Sequence, residues 1–392
     1  MYMSHLINRI SEKTVEKYLE IFPCVVILGS RQCGKSTLMR MFGESHSEMV
    51  YLDLQSRMDL NKILDPSLFF RANEDKTICL DEIQLVPELF DYLRTEIDRN
   101  RRHGRFVLLG SASANLIQKT SESLAGRVGL IDLTPFTIGE IDNVEDYTLN
   151  TYWFRGGYPD AYRATSDESC CIWRENFIRT YLERDIPQLG FTIAAPKMLR
   201  LLTLLAHSHG ELLNATNLAN IMDVSAPTIR HYIDIMESTY IVRTLSPYYV
   251  NIKKRLTKTP RLYVRDSGLL HQILGIQDFN ALMGHPVFGH SWEGMVLENV
   301  CAVAHQAQIS FYRTASGNEE MDIVVQYPDK TIAIECKAST APTLTDGFWK
   351  AIETLQPNET YVVCPIRENY SLREHVQVIG LEELVRKLEV FL

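Results

Sequence analysis

Two hydrophobic rhythms run along this chain. Apolar runs of strand length occupy residues 23–28, 77–80 and 105–110. Each is closed by glycine or polar residues, as buried parallel strands usually are. Helical spacing appears at Leu6, Ile7, Ile10 and Val15, at Leu199, Leu202 and Leu205, and at Ile229, Tyr232, Ile233, Ile235 and Met236. These predict helices near the N-terminus, over 197–208 and over 226–238. Strand patterns return at 309–313, 320–325, 331–337 and 360–364, framed by helical stretches at 291–304 and 380–388. The alternation predicts an α/β protein of several domains. No apolar run approaches the roughly 18 residues of a membrane span, so no membrane contact is expected.

The first strand leads into Gly29-Ser30-Arg31-Gln32-Cys33-Gly34-Lys35-Ser36-Thr37. This is GxxxxGK[ST] with a buried strand before it and a helix after it. Glycines let the backbone curl round phosphates, and the loop N–H groups and helix N-terminus face the anion. All nine residues are expected to line a site for ATP or ADP, with Lys35 reaching the β- and γ-phosphates and Ser36 on Mg²⁺. The second strand ends in Asp81-Glu82. Asp81 is expected on the metal, and Glu82 is expected to polarise the attacking water. Ser111 ends the third strand and would lie beside the γ-phosphate if that strand sits between the other two; the alternative is a turn serine or helix cap. Arg127 is a candidate arginine finger or γ-phosphate sensor, in its own subunit or a neighbour's, and the alternative is an ion-paired surface arginine.

These motifs resemble the AAA-type P-loop ATPases of bacteria and archaea that carry an uncharacterised C-terminal domain. The carriers are Gly29 to Ser36, the Leu80-Asp-Glu-Ile-Gln run, Gly110-Ser-Ala and Ser123-Leu-Ala-Gly-Arg127. Cys33 stands where a small apolar residue is commoner in that family. The resemblance extends over essentially the whole chain.

Past the ATPase core, Gly156-Gly157-Tyr158-Pro159 reads as a turn, and the helical run from Tyr181 to Ile186 reads as part of a lid or connector. Asn217 to Met222, a turn at Asp223-Val224-Ser225 with Ser225 as N-cap, and the helix from Ala226 predict a helix-turn-helix. Pro227, Thr228, Arg230 and His231 would form its outward face. Lys253, Lys254, Arg255, Lys258, Arg261 and Arg265 follow, in the place of a wing. Double-stranded DNA held through residues 225–265 is one reading, and a protein-binding adaptor is the other.

Beyond Pro286 the order is helix, strand, strand bearing Asp322, then strand bearing Glu335 and Lys337. This is the layout of a PD-(D/E)xK nuclease core. Period 2 sets Glu335 and Lys337 on one strand face, where a neighbouring strand can bring Asp322. Two carboxylates would bind Mg²⁺, with Glu298 of the preceding helix completing the set, and Lys337 would orient water. The resemblance adds that related proteins carry E-x-D and E-x-K here, matched by Glu320-Met321-Asp322 and Glu335-Cys336-Lys337.

Charge sharpens this division. The net charge of −9 argues against a basic coat for nucleic acid. Residues 1–150 carry 17 basic and 22 acidic side chains, 151–284 carry 15 and 12, and 285–392 carry 8 and 15. Positive balance is confined to the middle. Eight cysteines without a CxxC pair fit free thiols in a reducing cytoplasm. The expectation is therefore a P-loop ATPase parallel sheet (1–150), a helical connector or lid (151–195), a winged helix (196–284) and a nuclease-like α/β domain (285–392). Its function would couple an ATP switch to DNA binding and metal-dependent cleavage, by Asp322, Glu335 and Lys337. The alternative is a nucleotide-switched DNA- or protein-binding regulator with a silent nuclease-like domain. Either is compatible with an oligomer.

Overall fold

A computed structural model describes residues 6–46, 48–111, 120, 122–188, 190–191, 193–248 and 256–389, with the backbone alone at 111. The chain forms two compact units, Met1–Phe136 with Ser238–Tyr240, and Thr137–Glu237 with Ile241–Leu392. The segments expected at 151–195, 196–284 and 285–392 fall in the second unit, apart from Ser238–Tyr240.

The first unit is built on five parallel strands, β1 (Cys24–Gly29), β2 (Met49–Asp53), β3 (Thr77–Asp81), β4 (Phe106–Ser111) and β5 (Val128–Asp132), in the order β2-β3-β4-β1-β5. Every residue of β1 is buried. Its alternate side chains serve two cores. Cys24, Val26 and Leu28 pack with Ile78, Leu80, Phe106 and Leu108. Val25 and Ile27 pack with Cys79, Val107 and Leu109 on the other face. Burial on both faces is why the strand reads as an unbroken apolar run. Arg105, fully buried just before β4, is neutralised by Glu96 at 3.2 Å, which also binds Arg71 and Arg99.

The second unit opens with the short helix Ile138–Ile141, followed by helices Leu149–Arg155, Pro159–Tyr162 and Asp167–Thr180. The last runs into a π-helical turn at Tyr181–Asp185. Pro187 follows two residues after its end and lacks the N–H that would continue α-helical bonding. Three helices come next, Ala195–His207, Ala215–Met222 and Ala226–Ser238. Met198, Leu201, Leu202 and Leu205 face the core on the first of these, whereas Leu199, expected inside, is exposed. An antiparallel pair, β6 (Val242–Leu245) and β7 (Arg261–Val264), leads to helices Ser267–Ile273 and Phe288–Val303. A six-stranded mixed sheet then comprises β8 (Gln308–Arg313), β9 (Glu320–Gln326), β10 (Thr331–Cys336), β11 (Glu359–Val363), β12 (Tyr370–Arg373) and β13 (Val376–Ile379). Its order is β12-β13-β11-β10-β9-β8. The β12–β13 pair was not expected from the hydrophobic pattern. No helix among the described residues is long and apolar enough to cross a membrane, and all eight cysteines are unpaired.

Candidate functional site

The phosphate-type loop begins where β1 ends. Gly34 takes a left-handed conformation (φ +103°) that a side chain would strain, and the helix Lys35–Ser45 starts at the next residue. Gln32 is also left-handed (φ +61°). A Cβ at Gly29 would lie 2.3 Å from the Leu133 carbonyl, so glycine is required there. Lys35 is buried, and its Nζ donates to the Gly29 and Ser30 carbonyls at 3.0 and 2.8 Å. Ser30 Oγ is buried without a hydrogen-bond partner. Ser36 is half-buried, while Gln32 and Thr37 are exposed and Arg31 is half-buried. The Cys33 side chain belongs to the core: it is fully buried and its Sγ donates to Leu133 O at 3.4 Å. Only its backbone is available to a ligand. Arg9, which the sequence did not single out, braces the loop by donating to Cys33 O at 2.9 Å and Thr134 O at 2.6 Å.

Strand β4 lies between β1 and β3, and Ser111 is in register with Gly29. The backbone of Ser111 is thus level with the start of the loop; its side chain is outside the described structure. Asp81 ends β3, buried, accepting hydrogen bonds from the Tyr51 hydroxyl and from Glu82 N at 2.9 Å. Burial, then the bond to Asp81, raises the Tyr51 hydroxyl above its ordinary pKa. Glu82 is half-buried in a left-handed conformation (φ +58°), and its carboxylate accepts from the Gln84 amide. A non-glycine residue held there stores strain, which is tolerated where a side chain must be aimed. The Ser36 hydroxyl and Asp81 carboxylate are the hard oxygen donors Mg²⁺ takes. With the unpartnered Ser30 hydroxyl and the curled loop, they fit a nucleotide and its metal.

Arg127 lies elsewhere. Its carbonyl accepts from Cys24 N, at the opposite end of β1 from the loop. Five residues of strand, about 17 Å, intervene. Its guanidinium binds Asp98 through two bonds of 2.7 and 2.9 Å. A γ-phosphate role within its own subunit is therefore corrected: the arginine is ion-paired at the far edge of the sheet.

In the second unit, the Gly-Gly-Tyr-Pro turn and the Asp266-Ser-Gly-Leu turn form one clasp. Asp266 accepts from Gly157 N and Leu269 N, both at 2.8 Å. A Cβ at Gly156 (φ +80°) would meet Asp266 Oδ1 at 2.3 Å, and one at Gly268 would meet the Arg155 carbonyl at 2.1 Å. Both motifs thus serve chain packing. Arg184 is exposed. The two helices and the turn between them are as expected: Asp223 is left-handed, and Ser225 Oγ accepts from Thr228 N at 3.2 Å. Pro227, Arg230 and His231 are exposed, but Thr228 is half-buried with its hydroxyl on Ser225. Lys253, Lys254 and Arg255 lie outside the described residues.

A buried polar cluster sits on the large sheet. The register pairs Ile323 with Ile334, which sets Asp322 beside Glu335. Asp322 Oδ2 accepts from Cys336 N at 3.0 Å, and Lys337 Nζ lies 2.7 Å from Glu335 Oε1. The acid that the helix Phe288–Val303 contributes is Glu293, not Glu298. Glu298 is turned about 140° round that helix from Glu293 and is held by Arg243 at 3.0 Å and Arg265 at 2.9 Å. Burial alone would raise its pKa, but these two arginines pull it down to about 2. Its expected metal role is corrected accordingly. Glu293 accepts from Tyr263 OH at 2.5 Å and lies 3.1 Å from His290 Nδ1.

Arg261 of β7, 4% exposed, enters this cluster. Its guanidinium lies 2.7 Å from Glu293 and 3.3 Å from Asp322, also contacts Glu320, and rests over the Phe311 ring. Burial, then the charge of Asp322, pushes Glu335 up to about 8 despite Lys337. Burial and then Glu293 raise Asp322. Burial would raise Glu293 too, but His290 and Arg261 hold it below the usual range. Among the described residues no three of His, Cys, Asp or Glu are grouped to hold a metal ion. As folded, Asp322, Glu335 and Lys337 converge, yet they do not fit Mg²⁺: Arg261 engages Asp322 and Lys337 engages Glu335.

Comparison with known proteins fits this division. Residues 22–142 match an AAA domain, residues 146–280 a domain of unknown function (DUF8612) and residues 288–384 another (DUF4143). A Walker-type ATPase of Pyrococcus abyssi superposes with a TM-score of 0.50 at 15% identity, over 69% of this chain and 96% of that one, a likeness of fold. Uncharacterized proteins of Mycobacterium tuberculosis and Mycobacterium bovis are each 37% identical over 363 residues, 93% of this chain and 81% of theirs. The chain belongs to the family of these mycobacterial proteins, and its first unit carries an AAA-type P-loop ATPase domain.

Proposed function

We propose that the protein hydrolyses ATP at the ends of β1 and β3 and uses the cycle to switch a DNA-binding second unit. The observation that carries the first part is Lys35 entering its helix directly after left-handed Gly34, with Asp81 and Glu82 ending a parallel strand of the same sheet. The loop N–H groups and the helix N-terminus, worth about half a positive charge, hold the phosphates. Lys35 exchanges two neutral carbonyl partners for phosphate oxygens. Ser36 and Asp81 would hold Mg²⁺, which supplies charge neutralisation at the phosphates. Tyr51 fixes the Asp81 carboxylate, and Gln84 fixes Glu82 where it can orient the attacking water. Lys35→Ala should reduce turnover by at least about a hundredfold, an estimate from positioning and electrostatic effects at such sites, with an unchanged melting curve. Unchanged turnover would refute the role.

Support for DNA contact is the exposed Pro227, Arg230 and His231 on the second helix of a helix-turn-helix, with the basic residues Lys253, Lys254, Arg255 and Lys258 following in sequence. Read together with β6 and β7, these elements form a winged helix. Replacing Lys253, Lys254 and Arg255 by Ala should weaken binding to duplex DNA and lower its salt slope by about 0.9 for each phosphate left unneutralised. An unaltered slope would favour the protein-binding adaptor.

A second reading concerns residues 285–392, which we take as nuclease-like. Arg261 seated on Glu293 and Asp322 favours a catalytically silent state over an active one. Incubating duplex and single-stranded DNA with the protein and Mg²⁺ or Mn²⁺ tests this, and cleavage abolished by Glu335→Ala would overturn it.

A further inference from the structure

We propose that Arg261 is a built-in counter-ion that keeps divalent cations out of the carboxylate cluster, so that silence of the nuclease-like domain is imposed by one side chain. The inference rests on the nuclease-like reading above. Four carboxylates meet here, Glu293, Glu320, Asp322 and Glu335, and Arg261 touches three of them. Lys337 engages the fourth. A guanidinium and a metal ion cannot share the same carboxylate oxygens, because both are cations and each needs those lone pairs.

The placement of Arg261 is built rather than incidental. Its backbone is fixed twice, by the β6–β7 ladder opposite Leu245 and by a bridge to Leu212. Its side chain is sandwiched between the Phe311 ring and the acids, with the Tyr263 hydroxyl two residues on capping the same Glu293 oxygen. Four carboxylates face Arg261, Lys337 and His290, and Arg313 also lies 3.4 Å from Glu320. Withdrawing Arg261 leaves Glu293, Asp322 and Glu335 around a space that a small divalent cation can balance.

The test is Mn²⁺ binding to the full chain without nucleotide, followed by electron paramagnetic resonance. Arg261→Met keeps an apolar stem over Phe311. The paired variant Arg261→Met/Glu320→Gln removes charge and counter-charge together while keeping Glu293, Asp322 and Glu335, so folding is preserved where the single change strains it. Both are checked by circular dichroism. The account expects either folded variant to bind Mn²⁺ at least tenfold tighter than the unaltered chain, and Asp322→Asn to abolish the gain. Equal binding by unaltered and variant chains would overturn the gate and leave the nuclease-like reading standing. Absence of binding in every chain would overturn both. A gain that survives Asp322→Asn would place the metal elsewhere and also overturn the proposal.

Discussion

The first unit's P-loop and the second unit's carboxylate cluster contain similar ingredients: a buried lysine or arginine, acids at strand ends, and a neighbouring tyrosine hydroxyl. Their partners differ. Lys35 is held by two backbone carbonyls, neutral groups that a phosphate can displace with little loss. Arg261 is held by full negative charges in a buried setting, where removing one partner of a pair is strongly unfavourable. The first arrangement is ready for a ligand; the second already contains its counter-ion. Burial of charge therefore marks both places, and the chemistry of the partner tells a site open to exchange from one that is closed.

The comparison can be sharpened at Glu298, whose two arginine partners make it structural rather than catalytic. Glu298→Ala should cost the second unit about 3–5 kcal/mol, the scale for breaking a buried ion pair, read as a loss of thermal stability with nucleotide binding intact. The same residue sets an acid limit. Its folded pKa of about 2 lies below the ordinary 4.5. Its contribution is complete above about pH 4.5 and is lost as pH falls toward 2. Burial also lowers His209 to about 4 and His271 to about 3, from 6.5. Both stay neutral when folded and take up protons on unfolding, so stability falls progressively below pH 6.5. A pH series of melting curves should show decline starting near 6.5 and steepening below 4.5; flat stability from pH 7 to 4 would contradict these assignments.

A smaller effect is expected at Arg127. Paired with half-exposed Asp98 at the edge of the sheet away from the loop, it should tolerate Arg127→Ala with turnover within about twofold, as exposed pairs contribute little. A larger loss that depends on protein concentration would assign the arginine to a neighbouring subunit's nucleotide.

Much of the first unit was legible because its signal is local. Loop, helix start and Asp81-Glu82 are contiguous in sequence, and full burial of β1 writes itself as an apolar run. The place of β4 between β1 and β3 entered the sequence reading only as a condition, and the sheet order meets it. Arg9 and Tyr51 were not legible, since each reaches its partner across the fold without any motif. In the second unit, period 2 brought Asp322, Glu335 and Lys337 together. The helix Phe288–Val303 is apolar almost all round, with Trp292, Met295, Val296, Leu297 and Val300 all buried, so its pattern could not say whether Glu293 or Glu298 faces the sheet. Arg261 lies 61 residues from Asp322 in sequence; it read as one more basic residue of a wing, and only tertiary packing turns it inward. Gly156 looked like a turn glycine, but it and Gly268 permit close approach between distant segments.

The central claim is that Glu82, held by Gln84 in a strained conformation, drives ATP hydrolysis by a chain whose P-loop binds the nucleotide. Steady-state phosphate release, measured beside equilibrium ATP binding for the unaltered chain and Glu82→Gln, tests it most directly. The account predicts turnover by the unaltered chain, and in the variant ATP affinity within a fewfold with phosphate release lowered by at least about a hundredfold. Equal phosphate release from both chains, or none from the unaltered one while it binds ATP, would contradict it.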